Sequence, residues 1–301
     1  MSSVTIPGSV PVALIRQRLL DYLELTKPRV TALVLMTVAA GYWLGLRAGT
    51  HAAFGVPVLV GAVLAVGGAN ALNQWMEREP DRLMRRTRMR PLPAGRLDPD
   101  EARRFGVALS VAGVLWLAVT VNGLAALLTL IAIGSYVFLY TPLKRKTSLC
   151  TLVGAIPGAL PPVIGWAAAR NALGVEALVL FTMLFLWQLP HFLAIAVLYR
   201  DDYARAGFRM LPLVDQTGSM TARQILLYGL ALLPVSLLPS LLGFAGASYA
   251  YGALVLGLGF FAVSLYAALV RSLPAMRRLF LASVIYLPSL FALLVWDHVS
   301  A

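Results

Sequence analysis

Long apolar runs separated by short charged segments dominate this chain. Nine runs stand out: Val30–Leu46, Phe54–Trp75, Phe105–Val121, Leu124–Tyr140, Cys150–Ala169, Leu173–Tyr199, Ile225–Leu242, Ser248–Val270 and Leu279–Trp296. About 20 helical residues cross the roughly 30 Å of bilayer hydrocarbon, and the runs fall in that range. The pattern predicts an all-α, polytopic membrane protein with about nine transmembrane helices. Composition agrees: apolar residues make up 59% of the chain against 13% charged, and mean hydropathy is +0.80. A soluble domain of this length does not need so much apolar surface. The fifth run carries Gly154, Pro157, Gly158, Pro161, Pro162 and Gly165. Such residues predict either a kink or an unusually close helix neighbour.

Charge then orients the array. With the N-terminus and the loops after runs 2, 4, 6 and 8 on the cytoplasmic side, that side holds 23 of the 25 Lys and Arg residues, leaving Arg47 and Arg170 opposite. This is the positive-inside asymmetry, so the net charge of +12 reports topology and anionic lipid rather than nucleic acid. Eleven of the 13 acids lie on the same side. The insertion rule does not sort acids, so their gathering points to a charged functional face. Residues 1–28 read as a cytoplasmic segment without the apolar core of a signal peptide, and residues 29–297 as one intramembrane domain. In a bacterium this places the chain in the inner membrane. Cys150 stands alone, which excludes an internal disulfide and a thiolate metal cluster.

Three charged constellations leave the even-numbered runs. Asn73, Glu77 and Asp81 recur every four residues, so they share one helical face, with Pro80 expected to end or bend the helix. Hard oxygens in a row suit Mg²⁺, which uses one or two carboxylates and fills its shell with water and phosphate oxygen. Arg78, Arg82, Arg85, Arg86, Arg88 and Arg90 surround them. Arginine forks bind phosphate bidentately, and the combination describes a metal–diphosphate cradle. The arginines taken singly fit a solvated loop equally well. The second constellation, Tyr199-Arg-Asp201-Asp202-Tyr203, leads to Arg209. Adjacent carboxylates cannot point one way on a helix, so one acid reaches the metal while the other pairs with arginine or caps a turn. In the third, Tyr140 precedes Lys144, Arg145 and Lys146, placing a phenol beside an anion-holding patch that would stabilise a departing diphosphate. Two phrases four helices apart, Arg90-Pro91-Leu92-Pro93 and Arg209-Met210-Leu211-Pro212, hint at a duplicated unit. His191, inside the sixth run, is the one intramembrane histidine, since His51 and His298 lie near run ends. It reads either as a ligand or base for a substrate or as a structural histidine.

These residues resemble the UbiA-type intramembrane prenyltransferases, and within them the branch that farnesylates protoheme IX. The likeness rests on Leu25-Thr-Lys27-Pro28-Arg29, Asn73-x₃-Glu77-x₃-Asp81, Met84-x-Arg86-Thr87-x₂-Arg90-Pro91-Leu92, Tyr140-Thr-x₃-Arg145-x-Thr147, Gly154-Ala-x₂-Gly158-Ala-x-Pro161-Pro162-x₂-Gly165-Trp166 and Trp187-Gln-x-Pro190-His191-Phe192. It implies nine helices around a central cavity, with two acidic motifs at its mouth. It further implies farnesyl diphosphate as donor, heme B as acceptor, heme O as product, Mg²⁺ as cofactor and a heme A synthase as partner. Carried over by position, Asn73, Glu77, Asp81 and Asp202 serve the metal. Arg86, Arg90, Lys144 and Arg145 bind diphosphate. From the residues themselves, Tyr140 joins Asn73, Glu77, Asp81 and Lys144 as a catalytic candidate, and His191, Asp201 and Arg209 are substrate-binding candidates. Two features depart from the family pattern: Glu77 where many members have Asp, and adjacent acids at 201 and 202 instead of a pair four apart.

Two rivals follow from the same residues. One is prenyl transfer to another acceptor, an aromatic acid or a chlorin; the other is a heme or solute transporter, because broken helices and an intramembrane histidine also suit translocation.

Overall fold

The computed structural model describes residues 12–46 and 55–299; Arg47, His51 and Phe54 lie outside them. Chain order gives α1 (Val12–Leu25), α2 (Pro28–Gly45), α3 (Gly55–Met76), α4 (Arg78–Leu83), α5 (Pro99–Thr120) and α6 (Gly123–Gly134). A π-helical turn (Ser135–Tyr140) then runs into α7 (Thr141–Leu143). The rest comprises α8 (Cys150–Arg170), α9 (Val175–Leu198), α10 (Arg200–Arg205), α11 (Leu211–Val214), α12 (Ser219–Leu241), α13 (Ala247–Val270) and α14 (Leu273–Trp296). Among the described residues eight segments are long and apolar enough to cross a bilayer: α3, α5, α6 through α7, α8, α9, α12, α13 and α14. The remaining run, the first of the nine, corresponds to α2, which is 18 residues long and opens on Pro28-Arg29. No strand forms among the described residues beyond a single bridge between Ala245 and His298.

Several helices begin a turn or more before the apolar runs do. Asp98 accepts from the backbone N–H groups of Asp100 and Glu101 to start α5, and Ser272 accepts from Ala275 to start α14. Capping side chains carry the helix beyond the hydrocarbon, where hydropathy no longer reports it. The segment before the first run also contains an element that hydropathy missed. Its helix α1 is fastened to the rest by charge: Arg18 pairs with Glu101 at 2.6 Å, and Arg96 pairs with Asp21 at 2.9 Å and Glu24 at 2.7 Å.

Backbone approach at small residues sets the packing. α2 runs against α8, with Gly41 lying on the Pro162 carbonyl and Gly165 on the Val38 carbonyl so closely that a methyl at either position would overlap the opposing backbone. The Gly and Pro residues of the fifth run therefore serve close approach, the second of the two predicted outcomes. α3 pairs in the same way with α5 through Gly68, Gly106 and Gly113. α9 is flanked by α8, α12 and α14, and α13 joins α12 to α14.

Alternate helix ends gather as the charge pattern requires. Connections after α3, α7 and α9 bond to one another, as with Asp202 to the Arg85 and Arg86 amides, and the connection after α13 reaches the one before α12 through Arg271 and Thr217. At the opposite end Asn122 donates to the carbonyls of Ala167 and Ala168, while Asp297 accepts from Tyr249.

Gly165→Val should lower the thermal midpoint in detergent, since overpacking costs about 1–3 kcal/mol even where side chains can yield and here the opposing atom is backbone. Gly259→Ala, which meets open space, should leave the midpoint unchanged or raise it.

Candidate active site at the charged end of the bundle

The site is built on the end of α3. Asn70 and Gln74, one turn apart, clamp the corner between α1 and α2: Asn70 donates to the Thr26 carbonyl at 3.2 Å and Gln74 to the Glu24 and Leu25 carbonyls at 3.2 and 3.0 Å. These amides satisfy carbonyls that the end of α1 leaves without helical partners. The corner turns through Lys27, whose φ of 50° and ψ of 66° put a non-glycine residue in the left-handed region directly before a proline. Such a conformation costs of order 1–3 kcal/mol and persists only where its surroundings enforce it. Its effect is to send the Lys27 ammonium onto the Asn73 side-chain carbonyl at 2.9 Å.

Asn73, Glu77 and Asp81 form a continuous buried row. Although α3 formally ends at Met76, the Glu77 amide bonds to the Asn73 carbonyl at 2.9 Å and the Asp81 amide to the Glu77 carbonyl at 2.8 Å. Pro80 thus sits in a bent continuation, and the i, i+4 alignment survives. Each member has a partner from elsewhere in the chain. Asn73 donates to the Thr141 hydroxyl at 3.1 Å, and that hydroxyl donates to the Tyr136 carbonyl at 2.9 Å inside the π-helical turn. Lys144 reaches Glu77 Oε1 at 2.7 Å and lies over the Tyr140 ring at 4.5 Å. Asp81 is fully buried, and its Oδ2 accepts from Arg90 at 2.7 Å.

Burial sets the electrostatics of the cluster. Burial, joined by neighbouring Glu77, holds the Asp81 carboxyl above the ordinary carboxylate range despite Arg90, and its Oδ1 is buried without a hydrogen-bond partner. Burial depresses the Lys27 ammonium to about 7, with Arg90 adding to the effect. Burial also opposes the charge on Lys144, but Glu77 and the phenols of Tyr140 and Tyr136 keep its pKa above the usual lysine value. Among the described residues no three His, Cys, Asp or Glu side chains form a closed metal cage. The donor set instead fits Mg²⁺: two carboxylates and an amide oxygen, with one buried carboxylate oxygen unused and room in the shell for phosphate.

The second acidic motif occupies a different position. Asp202 accepts from the backbone amides of Arg85 and Arg86 at 3.2 and 3.4 Å and pairs with Arg205, so its carboxylate clasps α10 to the loop that carries Arg90. Those amides and Arg205 outweigh burial and lower its pKa. The Arg86 guanidinium lies over the rings of Tyr199 and Tyr203 and donates to the Tyr203 hydroxyl at 2.8 Å. The Arg209 amide donates to the Lys144 carbonyl at 2.7 Å, joining the third constellation to the second. The side chains of Asp201, Arg145 and Arg209 are exposed. His191 stands apart, between α9 and α14, with its Nδ1 on the Ser283 hydroxyl at 2.7 Å.

Sequence reasoning therefore brought together Asn73, Glu77, Asp81, Arg90, Tyr140 and Lys144, and missed Lys27 and Thr141. Lys27 stood in the Lys-Pro phrase, yet nothing in its spacing announces a left-handed corner. Thr141 acts through a π-helical turn that hydropathy cannot register.

Membrane-length helices closed at one end by a buried cluster of acids and cations define a multi-pass membrane protein with a charged site. The sequence profile of the UbiA prenyltransferase family matches residues 34–290, and the chain belongs to that family. It is 51% identical over 287 residues to a protoheme IX farnesyltransferase of Solibacter usitatus, covering 92% of this chain and 98% of that protein. To a protoheme IX farnesyltransferase of Koribacter versatilis it is 45% identical, with 99% of each covered. A digeranylgeranylglyceryl phosphate synthase structure superposes with a TM-score of 0.79 at 16% identity, over 93% of this chain and 98% of that one. A UbiA homologue from Archaeoglobus fulgidus bound to GPP and Mg²⁺ superposes at 0.65 with 17% identity, over 91% and 99%. At such identities these two structures speak for the fold alone.

The low pKa of Lys27 has a measurable consequence. Below about 7 its ammonium is charged and can hold an anion; above that it is neutral. Affinity for inorganic diphosphate should therefore weaken as pH rises through about 7, by roughly tenfold or more for one lost charge-assisted contact. Lys27→Arg, which stays charged, should remove that step, and calorimetry of the two proteins across the range checks it.

Proposed function

We propose that this protein transfers the farnesyl group of farnesyl diphosphate to a vinyl carbon of heme B, giving heme O and diphosphate. The observation that carries the reading is the buried Asn73–Glu77–Asp81 row ringed by Lys27, Arg90 and Lys144, in a chain so similar over its whole length to protoheme IX farnesyltransferases. Asn73, Glu77 and Asp81 would hold Mg²⁺, which when bound supplies Lewis-acid neutralisation of diphosphate charge.

The chain's own residues do the rest. Lys27, Arg90 and Lys144 accept the charge that collects on diphosphate as the allylic C1–O bond breaks and its electron pair leaves with oxygen. The Tyr140 ring, held by Lys144 and packed against Tyr136 at 5.6 Å, faces the resulting carbocation and helps keep water from it. The vinyl π electrons form the new C–C bond. Water then adds to the adjacent carbon, losing a proton to solvent and leaving a hydroxyl. Asp202 acts as a positioning residue by fixing the Arg85–Arg90 loop, and Arg86, Asp201, Arg145 and Arg209 receive the diphosphate on its way in. Residues 1–28 form a cytoplasmic segment before the 29–297 domain, the membrane is a bacterial inner membrane, and a heme A synthase consumes the product.

Incubation of the purified protein with farnesyl diphosphate, Mg²⁺ and heme B should yield farnesylated heme by mass spectrometry, and a chelator should stop it. If 4-hydroxybenzoate or a chlorin is prenylated and heme is not, the acceptor assignment is wrong. Glu77→Gln with Asp81→Asn should insert normally and lose at least about 10²–10³-fold in turnover, the scale of a removed transition-state electrostatic contact. A transporter would tolerate that pair.

A further inference from the structure

His191 lies within α9, eight residues before Tyr199, which at 1.5 Å per residue is about 12 Å of helix below the point where Arg86 packs on Tyr199. Aromatic rings form its walls: Trp187 near-parallel at 5.1 Å, Phe280 at 5.2 Å and Phe192 edge-on at 5.5 Å. The polar contacts fix its proton. Ser283 Oγ donates to the Phe280 carbonyl at 2.6 Å, which uses the only proton a serine hydroxyl carries. Toward His191 that oxygen can therefore only accept, and the 2.7 Å contact places the imidazole proton on Nδ1. Trp187 Nε1 donates to the Ser283 backbone carbonyl at 2.8 Å and holds the serine in register. Nε2 is left as the lone-pair nitrogen, and it makes no hydrogen bond among the described residues.

A neutral imidazole whose Nδ1–H is committed to a fixed acceptor is the arrangement that presents Nε2 to a metal, with the second hydrogen bond setting tautomer and ring orientation. The rings packed around the imidazole hold it in an apolar surround. We infer that His191 Nε2 binds the iron of the heme acceptor axially, with Ser283 and Trp187 as positioning residues. The inference rests on heme being the acceptor. It gives the macrocycle a fixed anchor within the bilayer, below the diphosphate cluster. Iron here is a handle for orientation, and its redox state does not change.

The test titrates the full-length protein in lipid nanodiscs with ferric heme and, in parallel, with iron-free protoporphyrin IX. Wild type should give the absorption and electron paramagnetic resonance spectra of imidazole-ligated heme. His191→Gly should lose them and bind heme at least about tenfold more weakly, while its affinity for iron-free protoporphyrin is unchanged; added imidazole should restore the spectrum. Ser283→Ala should weaken heme binding by about 10–100-fold, the range for loss of a ligand's supporting hydrogen bond, again without affecting the iron-free ring. A spectrum identical in wild type and His191→Gly would overturn the inference while leaving the acceptor intact. If wild type binds no heme, the acceptor assignment falls and this inference with it.

Discussion

Two carboxylates and three cations share one buried cluster, and none of them could stay there without the others. An isolated charge taken out of water loses several kcal/mol of hydration that only well-placed opposite charges restore. Glu77 has Lys144, Asp81 has Arg90, and Lys27 has the Asn73 carbonyl. These partners come from four separate stretches of chain. The corner before α2, the end of α3, the loop after α4 and the connection after α7 must therefore all arrive together. The helices position the site, and the site in turn fixes how the helix ends may sit.

Charge in the cluster is also unevenly matched. Cations outnumber carboxylates, Asp81 Oδ1 has no partner among the described residues, and one lysine is held near neutrality. An enclosure balanced for its own sake would pair every group. Here the surplus of positive charge and the spare oxygen complement a ligand that brings a divalent cation and a polyanion together, which is what a prenyl diphosphate with Mg²⁺ does.

Apolar runs and the Lys and Arg asymmetry made most of this fold readable, because both follow directly from the bilayer as solvent. The row at 73, 77 and 81 was readable too, since four-residue spacing needs only one local helix. What escaped needs the third dimension. Asp202 was expected to serve a metal, and spacing did not foretell that its oxygens meet the amides of Arg85 and Arg86, a pairing across more than a hundred residues that no local pattern encodes. Lys27 enters the site by a backbone angle, and His191 meets Ser283 only because α9 packs on α14. The amphipathic α1 and the helix starts beyond the hydrocarbon escaped for a simpler reason: they lie where water returns and hydropathy stops discriminating.

The π-helical turn at Ser135–Tyr140 has a bearing on heredity. Such a turn holds one residue more than the regular coil would, and each residue advances the helix by about 100°. Everything downstream is thereby rotated by that angle, Thr141 and Lys144 included. Rewinding this stretch into regular helix at unchanged length would swing both residues away from Asn73 and Glu77, whereas loss of a single codon here would straighten the helix and leave them facing as they do. Length and register are thus coupled in this turn: a chain one residue shorter could do without it, and a chain of this length could not.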